Sequence, residues 1–138
     1  MCGVASAGKL LVRPHTLIPE QTKESPEKAE ISLLLRLTDG TSLTERVSVG
    51  ADGVTLTGEG TGAVLAEFPV FLTDGETQTE IRAEENRVTV SYRGWKAVWS
   101  SDGTIRDTGE TYANRNGLYR RFVAEGKERV RLRIGIFR

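Results

Sequence analysis

Apolar and polar residues alternate along several short stretches of this chain, as they do in strands that bury one face. The clearest stretch lies near the end of the sequence, where four aliphatic residues alternate with three arginines. We expect it to form a late strand of the core with one arginine face. The aliphatic residues are Val130, Leu132, Ile134 and Ile136, and the arginines are Arg129, Arg131 and Arg133.

A second stretch predicts a hairpin over residues 87–100. If Arg93 and Gly94 are the two turn residues, the apolar side chains share one face and polar side chains take the other, where Val98 is the exception. The facing pairs are then Tyr92 with Trp95, Val90 with Ala97, and Val88 with Trp99.

Residues 31–37 also alternate, and a three-residue loop over 39–41 gives their apolar positions apolar partners on the next strand. A two-residue loop instead places Leu33 against Arg46, so the apolar match favours the longer loop. The predicted pairs are Leu37 with Leu43, Leu33 with Val47, and Ile31 with Val49.

Turn signals separate these stretches, because four Asp-Gly pairs stand between apolar runs and such pairs favour tight turns. No window shows sustained helical spacing, so we expect little helix. About ten short strands predict an all-β fold, an antiparallel β-sandwich, with a single closed barrel as the alternative. We also expect residues 1–8 to be disordered, residues 19–28 to form a polar loop, and residues 58–62 to form a flexible turn.

The length of 138 residues predicts one domain over 1–138. No apolar run is long enough to cross a membrane and no signal peptide is evident, so we expect a soluble protein of the bacterial cytoplasm or periplasm without a membrane partner. A single cysteine, Cys2, excludes an internal disulfide and a thiolate zinc site. Lys and Arg total 19 and Asp and Glu total 19, a net charge of +0 that argues against nucleic acid as a partner.

Residues for catalysis are scarce. His15 is the only histidine and lies beside Pro14, so Ser-His-Asp and Cys-His arrangements lack parts. Asp102, Asp107 and Glu110 could meet around a cation, but turn carboxylates are usually solvated. We therefore predict no catalytic residue, no metal and no cofactor. A small glycan hydrolase or lyase that uses Asp or Glu with a tyrosine stays open as an alternative.

Aromatic residues give a candidate carbohydrate surface, because flat sugar faces stack on aromatic rings. The hairpin pattern favours a core position for the two tryptophans, whereas two tyrosines flank a loop rich in hydrogen-bonding side chains. The asparagines of that loop are also typical turn formers. The candidates are Trp95, Trp99, Tyr112, Asn114, Arg115, Asn116 and Tyr119.

The zero net charge is a cancellation between two parts of the chain. Residues 113–138 hold eight basic and two acidic residues, whereas residues 1–112 hold 11 basic and 17 acidic ones. Arginines on alternate strand positions suit carboxylates, sulfates or phosphates, which makes Arg129, Arg131 and Arg133 candidates for binding an anionic polysaccharide. The alternative is that they pair with the acidic remainder of the chain or with an acidic partner domain.

Three segments carry a family resemblance: LVRPHTLIP at 11–19, YRGW at 92–95 and GETYANRNGLYRRF at 109–122. They resemble the C-terminal β-sandwich region of bacterial polysaccharide-degrading enzymes, namely heparinase II/III-like lyases and related (α/α)-toroid glycoside hydrolases. Because that family's catalytic residues lie largely in the toroid, none carries over to this chain. The resemblance implies a non-catalytic accessory domain that packs on an adjacent catalytic domain and helps to shape a glycan cleft. A structural protein-interaction module is a further alternative, which an exposed apolar patch would favour.

Overall fold

The computed structural model describes the backbone of residues 2–6, 9–12, 14–25, 27–37 and 40–138, and the side chains of residues 2, 22, 23, 25, 27–37 and 40–138. Every regular element in these ranges is a strand. The strands are β1 (Cys2–Ser6), β2 (Lys9–Val12), β3 (Pro14–Glu24), β4 (Lys28–Leu37), β5 (Ser42–Gly50), β6 (Gly53–Thr73), β7 (Glu80–Ala83), β8 (Arg87–Tyr92), β9 (Trp95–Ser101), β10 (Thr104–Asn114) and β11 (Gly117–Phe137). None of the described segments forms a helix long and apolar enough to cross a membrane.

All strand pairs are antiparallel, and the main path through the sheet runs β3-β4-β5-β6-β11-β9-β8-β7. β1 pairs with β6 and β2, and β10 pairs with β11. The all-β antiparallel fold predicted from the sequence is confirmed, and the described ranges hold eleven strands where about ten were expected. Two of them are far from short, because β6 and β11 have 21 residues each.

The two long strands divide the sheet into two layers. The first part of β6 and the last part of β11 pair with each other between β5 and β9, within what we call the large layer. The last part of β6 and the first part of β11 pair between β1 and β10, within what we call the small layer. A sheet bent across its two longest strands can thus cover its own apolar face, which is the arrangement of a sandwich.

The bend coincides with glycines and a bulge. Residues 58–62, expected to be a flexible turn, lie inside β6, so that prediction is wrong. A Cβ at Gly58 would come within 2.8 Å of the Cys2 Sγ, so glycine lets β1 pack closely here. On β11 the register shifts between Lys127 and Arg129, and Glu128 adopts a positive φ of 62°. Bulges of this kind bend and twist a strand.

The core lies between the layers. Phe68 of the small layer packs on Trp99 of the large layer with ring centroids 4.7 Å apart. The backbone N–H of Cys2 on β1 donates to Glu45 Oε2 on β5 at 3.1 Å, which is a second link between the layers. The buried residues that form one cluster are Cys2, Leu35, Leu37, Leu43, Val64, Ala66, Phe68, Val70, Val88, Val90, Ile105, Phe122, Ala124, Val130 and Leu132.

The predicted hairpin over residues 87–100 is confirmed with its register. Tyr92 pairs with Trp95, and the pairing continues through Val90 with Ala97 to Val88 with Trp99. Arg93 and Gly94 have φ values of 47° and 81°, and two central residues with positive φ match the twist of a two-residue hairpin.

The predicted register of β4 and β5 is wrong by two residues. Leu35 pairs with Leu43, Leu33 pairs with Glu45, and Ile31 pairs with Val47. The Leu37 N–H donates to the Thr41 carbonyl at 2.9 Å and closes a longer loop than expected, of which residues 38 and 39 lie outside the described part. A shift of two residues returns each side chain to the same face, so the buried face is as predicted, although Leu33 has Glu45 as its partner in place of the apolar partner expected.

The N-terminal part holds more strand than expected. Cys2–Ser6, within the segment expected to be disordered, forms β1 and pairs with β6. Pro14–Glu24 forms β3 and pairs with β4, which begins at Lys28, so the loop expected over 19–28 is wrong for residues 19–24 and 28. Proline is tolerated in β3 because an edge strand pairs along one side only. The side chain of His15 lies outside the described residues.

Candidate functional site

The outward face of the large layer carries a shallow polar groove of about 840 Å³. It faces away from the core because its residues on β6 and β11 alternate with Leu56 and Leu132, which pack inward. Side chains and backbone of five strands, β3 to β6 and β11, line it together with the turn residue Asp52.

The strand register arranges the groove side chains in two rows. In the first, which we call the arginine row, Ser32 lies opposite Arg46, Arg46 opposite Thr57, and Thr57 opposite Arg131. The second, which we call the mixed row, crosses the same strands two residues away. It consists of Lys23, Glu30, Ser48, Thr55 and Arg133.

The groove has an excess of positive charge, with five basic residues and two acidic ones in its lining. The basic residues are Lys23, Lys28, Arg46, Arg131 and Arg133, and the acidic ones are Glu30 and Asp52. Several of these charges are paired.

Lys28 Nζ lies 3.0 Å from Glu30 Oε1, and the hydrogen bond and charge of Lys28 lower the pKa of that carboxyl. Arg133 lies 3.4 Å from Asp52, and Arg46 lies 3.8 Å from Glu59 beyond the groove. Such exposed pairs contribute little, about 0–1 kcal/mol each, so an anionic ligand can compete with them.

Arg131 is an exposed cation of the groove without an acidic partner among the described side chains. Among the described side chains, no carboxylate lies within 4.0 Å of its guanidinium. Its backbone is held firmly, because its N–H donates to Asp102 Oδ1 at 2.8 Å and its carbonyl accepts from Ser101 Oγ at 2.7 Å. The turn after β9 therefore fixes the position from which this side chain extends.

The three arginines predicted as a binding face do not all share the groove. Arg131 and Arg133 line it, whereas Arg129 lies one row further along and pairs with Glu59 at 3.9 Å. Sequence reasoning missed Arg46, Lys23 and Lys28. The alternation of β5 marks Arg46 as outward-facing, but only the register across β6 places it in the same row as Arg131, two strands away.

The aromatic candidates lie elsewhere. Tyr112 of β10 and Tyr119 of β11 face each other in the small layer with stacked rings 5.6 Å apart, and the Arg121 guanidinium lies 5.3 Å from the Tyr112 ring. Trp99 packs in the core, as the hairpin pattern predicts. Trp95 is 46% exposed, so the core position predicted for it is wrong: it stands at the end of the hairpin, where the Arg138 guanidinium lies 5.1 Å from its ring. None of them lines the groove.

The loop between Tyr112 and Tyr119 is a tight turn. Asn114 Oδ1 accepts the backbone N–H of Asn116 at 2.8 Å, and Asn114 pairs with Gly117 across the hairpin. Asn114 thus bonds its own backbone, as the turn alternative predicts. Arg115 and Asn116 are exposed at the tip of this turn.

The carboxylates considered for a cation each have a separate partner. Asp102 accepts from the backbone of Arg131, Asp107 lies 3.2 Å from Arg120, and Glu110 lies 3.1 Å from Arg121. Within the described ranges, no group of three or more His, Cys, Asp or Glu side chains is placed to hold a metal ion. Two basic residues of the segment 113–138, Arg120 and Arg121, therefore pair with acidic residues of the segment 1–112.

The opposite, inward face of the large layer is only partly covered by the small layer. An open apolar cavity of about 310 Å³ lies there, between Val54, Ile134 and Trp99 of the large layer and Phe68 of the small one. Val49 and Ile136 continue this face and are 46% and 61% exposed. Glu45 and Glu67 border the cavity. We call this surface the uncovered apolar face.

Comparison with known proteins gives structural matches. No protein-family model matches the sequence, and no curated protein matches it. Heparinase III, the BT4657 gene product, superposes with a TM-score of 0.65 at 12% identity over 91% of this chain and 23% of that one. Heparan sulfate lyase HepC from Pedobacter heparinus superposes with a TM-score of 0.62 at 11% identity over 90% of this chain and 23% of its own.

At this identity the likeness concerns the fold. Both matches cover nearly all of this chain and less than a quarter of the lyases, so the common part is one domain of a longer protein. The chain therefore has the fold of a β domain of heparinase III-type lyases, in agreement with the resemblance in the sequence.

Proposed function

We propose that this chain is a non-catalytic accessory domain of a polysaccharide-degrading enzyme and that it binds an anionic polysaccharide in the groove of the large layer. The observation that carries the proposal is the excess of basic over acidic side chains in the groove, with Arg131 held in place and without a carboxylate partner in the described residues. Guanidinium groups suit carboxylates and sulfates because they offer several N–H donors in one plane.

Two further features support this ligand class. Hydroxyl groups of Ser32, Ser48, Thr55 and Thr57 stand between the basic side chains and offer hydrogen bonds to sugar hydroxyls. One of the proteins that share the fold is described as a heparan sulfate lyase, whose name specifies a sulfated polysaccharide.

The test is calorimetric titration of the chain with a sulfated polysaccharide, a polyuronate and neutral dextran. We expect both anionic polymers to bind with an affinity that falls as salt is raised, and dextran not to bind. Arg131→Ala should weaken binding about tenfold, since a hydrogen bond to a charged group contributes about 1.5 kcal/mol at the lower end of its range, which applies to an exposed site.

Arg82→Ala is the matched control, because Arg82 is an exposed arginine on β7 outside the groove, 3.3 Å from Glu84. Tyr112→Ala tests the alternative surface on the small layer. If neither anionic polymer binds the unmodified chain, the proposal of polysaccharide binding is wrong. If Tyr112→Ala abolishes binding and Arg131→Ala does not, the groove is the wrong site.

The uncovered apolar face favours a second role, packing against an adjacent catalytic domain. Exposed aliphatic side chains such as Val49 and Ile136 beside an apolar cavity are typical of a surface that another protein surface covers. We expect the isolated chain to enhance the fluorescence of the dye ANS and to associate at high concentration. Val49→Lys combined with Ile136→Lys should suppress both effects, and an unmodified chain that shows neither would contradict this role.

A further inference from the structure

The shape of the groove indicates how a polymer would lie in it. Between β3 and β11 the groove crosses five strands, a width of four strand spacings or about 19 Å. Along the strands its lining is longest on β4, from Lys28 to Ser32, and on β6, from Gly53 to Thr57, a Cα distance of about 14 Å in each case. The longer dimension is therefore perpendicular to the strands.

The basic residues follow this longer dimension. Arg46 and Arg131 both lie opposite Thr57, one from each side, so their Cα atoms are two strand spacings apart, or about 10 Å. That distance is close to the length of one disaccharide unit in a linear polysaccharide. In the mixed row, Lys23 on β3 and Arg133 on β11 stand near the two ends of the groove.

The groove lacks an aromatic platform, because no Trp, Tyr or Phe belongs to its described lining. Stacking on a sugar ring therefore gives no anchor here, and affinity has to come from charge and hydrogen bonds. Ligand length and the spacing of anionic groups then decide how many of the basic residues one molecule reaches.

We infer that the groove holds a linear polysaccharide across the strands, an inference that rests on the proposed function. Arg46 and Arg131 then bind anionic groups that lie one disaccharide apart. The shortest ligand that reaches both arginines with an anionic group is longer than one disaccharide. Tetrasaccharides therefore bind more tightly than disaccharides by about tenfold, the contribution of one additional charge-assisted contact. Hexasaccharides extend towards Lys23 and gain less.

The first experiment is titration of the chain with oligosaccharides of uronic acid alternating with a neutral hexosamine, which carry one anionic group per disaccharide, two, four and six sugars long. Arg46→Ala and Arg131→Ala should each remove the gain from two to four sugars, whereas Arg82→Ala should keep it. The Arg46 and Glu59 side chains are both exposed and 3.8 Å apart, so loss of that pair leaves the fold intact. Arg46→Lys, which keeps the charge, should retain part of the gain.

The second experiment maps the bound tetrasaccharide by amide chemical shifts. The shifts should follow the two rows across β4, β5, β6 and β11, near Ser32, Arg46, Thr57 and Arg131. Shifts that instead run lengthwise along β6 and β11 into the small layer would overturn the inferred direction. Anionic polymers that bind with no dependence on Arg46 or on ligand length would overturn it as well, while the proposed function would stand. Absence of all binding would remove both proposals.

Discussion

Phe68 joins the two layers, so its removal gives the most direct test of the sandwich. The side chain is buried and contacts Trp99 of the large layer at 4.7 Å and Phe122 of the small layer at 5.9 Å, measured between ring centroids. Phe→Ala substitutions in cores cost about 3–5 kcal/mol through lost transfer free energy and the remaining cavity. The aromatic contacts add about 0.5–1.5 kcal/mol to the value of burial alone.

The position of Phe68 beside the open apolar cavity favours the lower part of this range. The Phe68 side chain is itself buried, but the open cavity beside it gives water and neighbouring side chains access to the space that the substitution leaves, so the cavity contribution is smaller than at a fully enclosed site. We expect Phe68→Ala to lower the free energy of unfolding by about 3 kcal/mol, a large share of the 5–15 kcal/mol typical of a domain.

Urea unfolding followed by tryptophan fluorescence measures this change, and Trp99 lies directly against the substituted ring. Phe137→Ala is the matched control, because Phe137 is 56% exposed near the end of β11 and its loss should change the free energy by less than about 0.5 kcal/mol. A loss below about 1 kcal/mol for Phe68→Ala would refute the reasoning, since the layers would then not be held together through this residue.

Three further predictions concern a buried thiol, a turn carboxylate and the bulge of β11. Burial raises the pKa of the Cys2 thiol to about 12, and the charge of nearby Glu45 adds to this effect. The thiol should therefore react with a thiol reagent at pH 8 only after the chain is unfolded in urea. Rapid reaction of the folded chain would contradict the packing of β1. Hydrogen bonds from the Thr77 backbone and Tyr92 hold the pKa of Asp74 far below its usual range, so the carboxylate stabilises the fold above pH about 4 and loses this effect as the pH falls. The urea midpoint should therefore fall more between pH 5 and pH 2 in the unmodified chain than in Asp74→Asn. An equal fall of the midpoint in both proteins would contradict this reasoning. Gly126→Ala should destabilise the chain by about 1–3 kcal/mol in thermal unfolding, because the added Cβ would collide with the Arg129 carbonyl at the bulge.

The strand register decides which arginines of β11 lie beside acidic residues and which lie in the groove. Arg120 and Arg121 face acidic residues of the neighbouring strand β10, at Asp107 and Glu110, and so serve cross-strand pairing. Arg131 belongs to the same basic segment but extends from the other layer, where hydroxyl groups surround it. The same residue type in the same strand thus has two uses, depending on which layer its part of β11 occupies.

Local pattern determined the all-β class, the arginine face of β11 and the hairpin over residues 87–100. In that hairpin a two-residue turn leaves one register that keeps the apolar side chains together, so turn and pattern specify the same pairs. Two groove residues, Arg131 and Arg133, were likewise predictable, because strict alternation on a strand decides which side chains face outward.

Only the tertiary structure decided the rest. The expected and the observed register of β4 and β5 differ by two residues and place the same side chains on the same face, so long-range packing had to select the observed one. The pairing of β6 with β11 joins segments far apart in sequence, and neither alternation nor turn residues carry information about it. The pairings of β6 with β5 and β11 place Arg46 and Arg131 in one row on opposite sides of Thr57, and β6 and β11 run on together from the large layer into the small one, so both the groove and the sandwich depend on contacts that no local segment specifies.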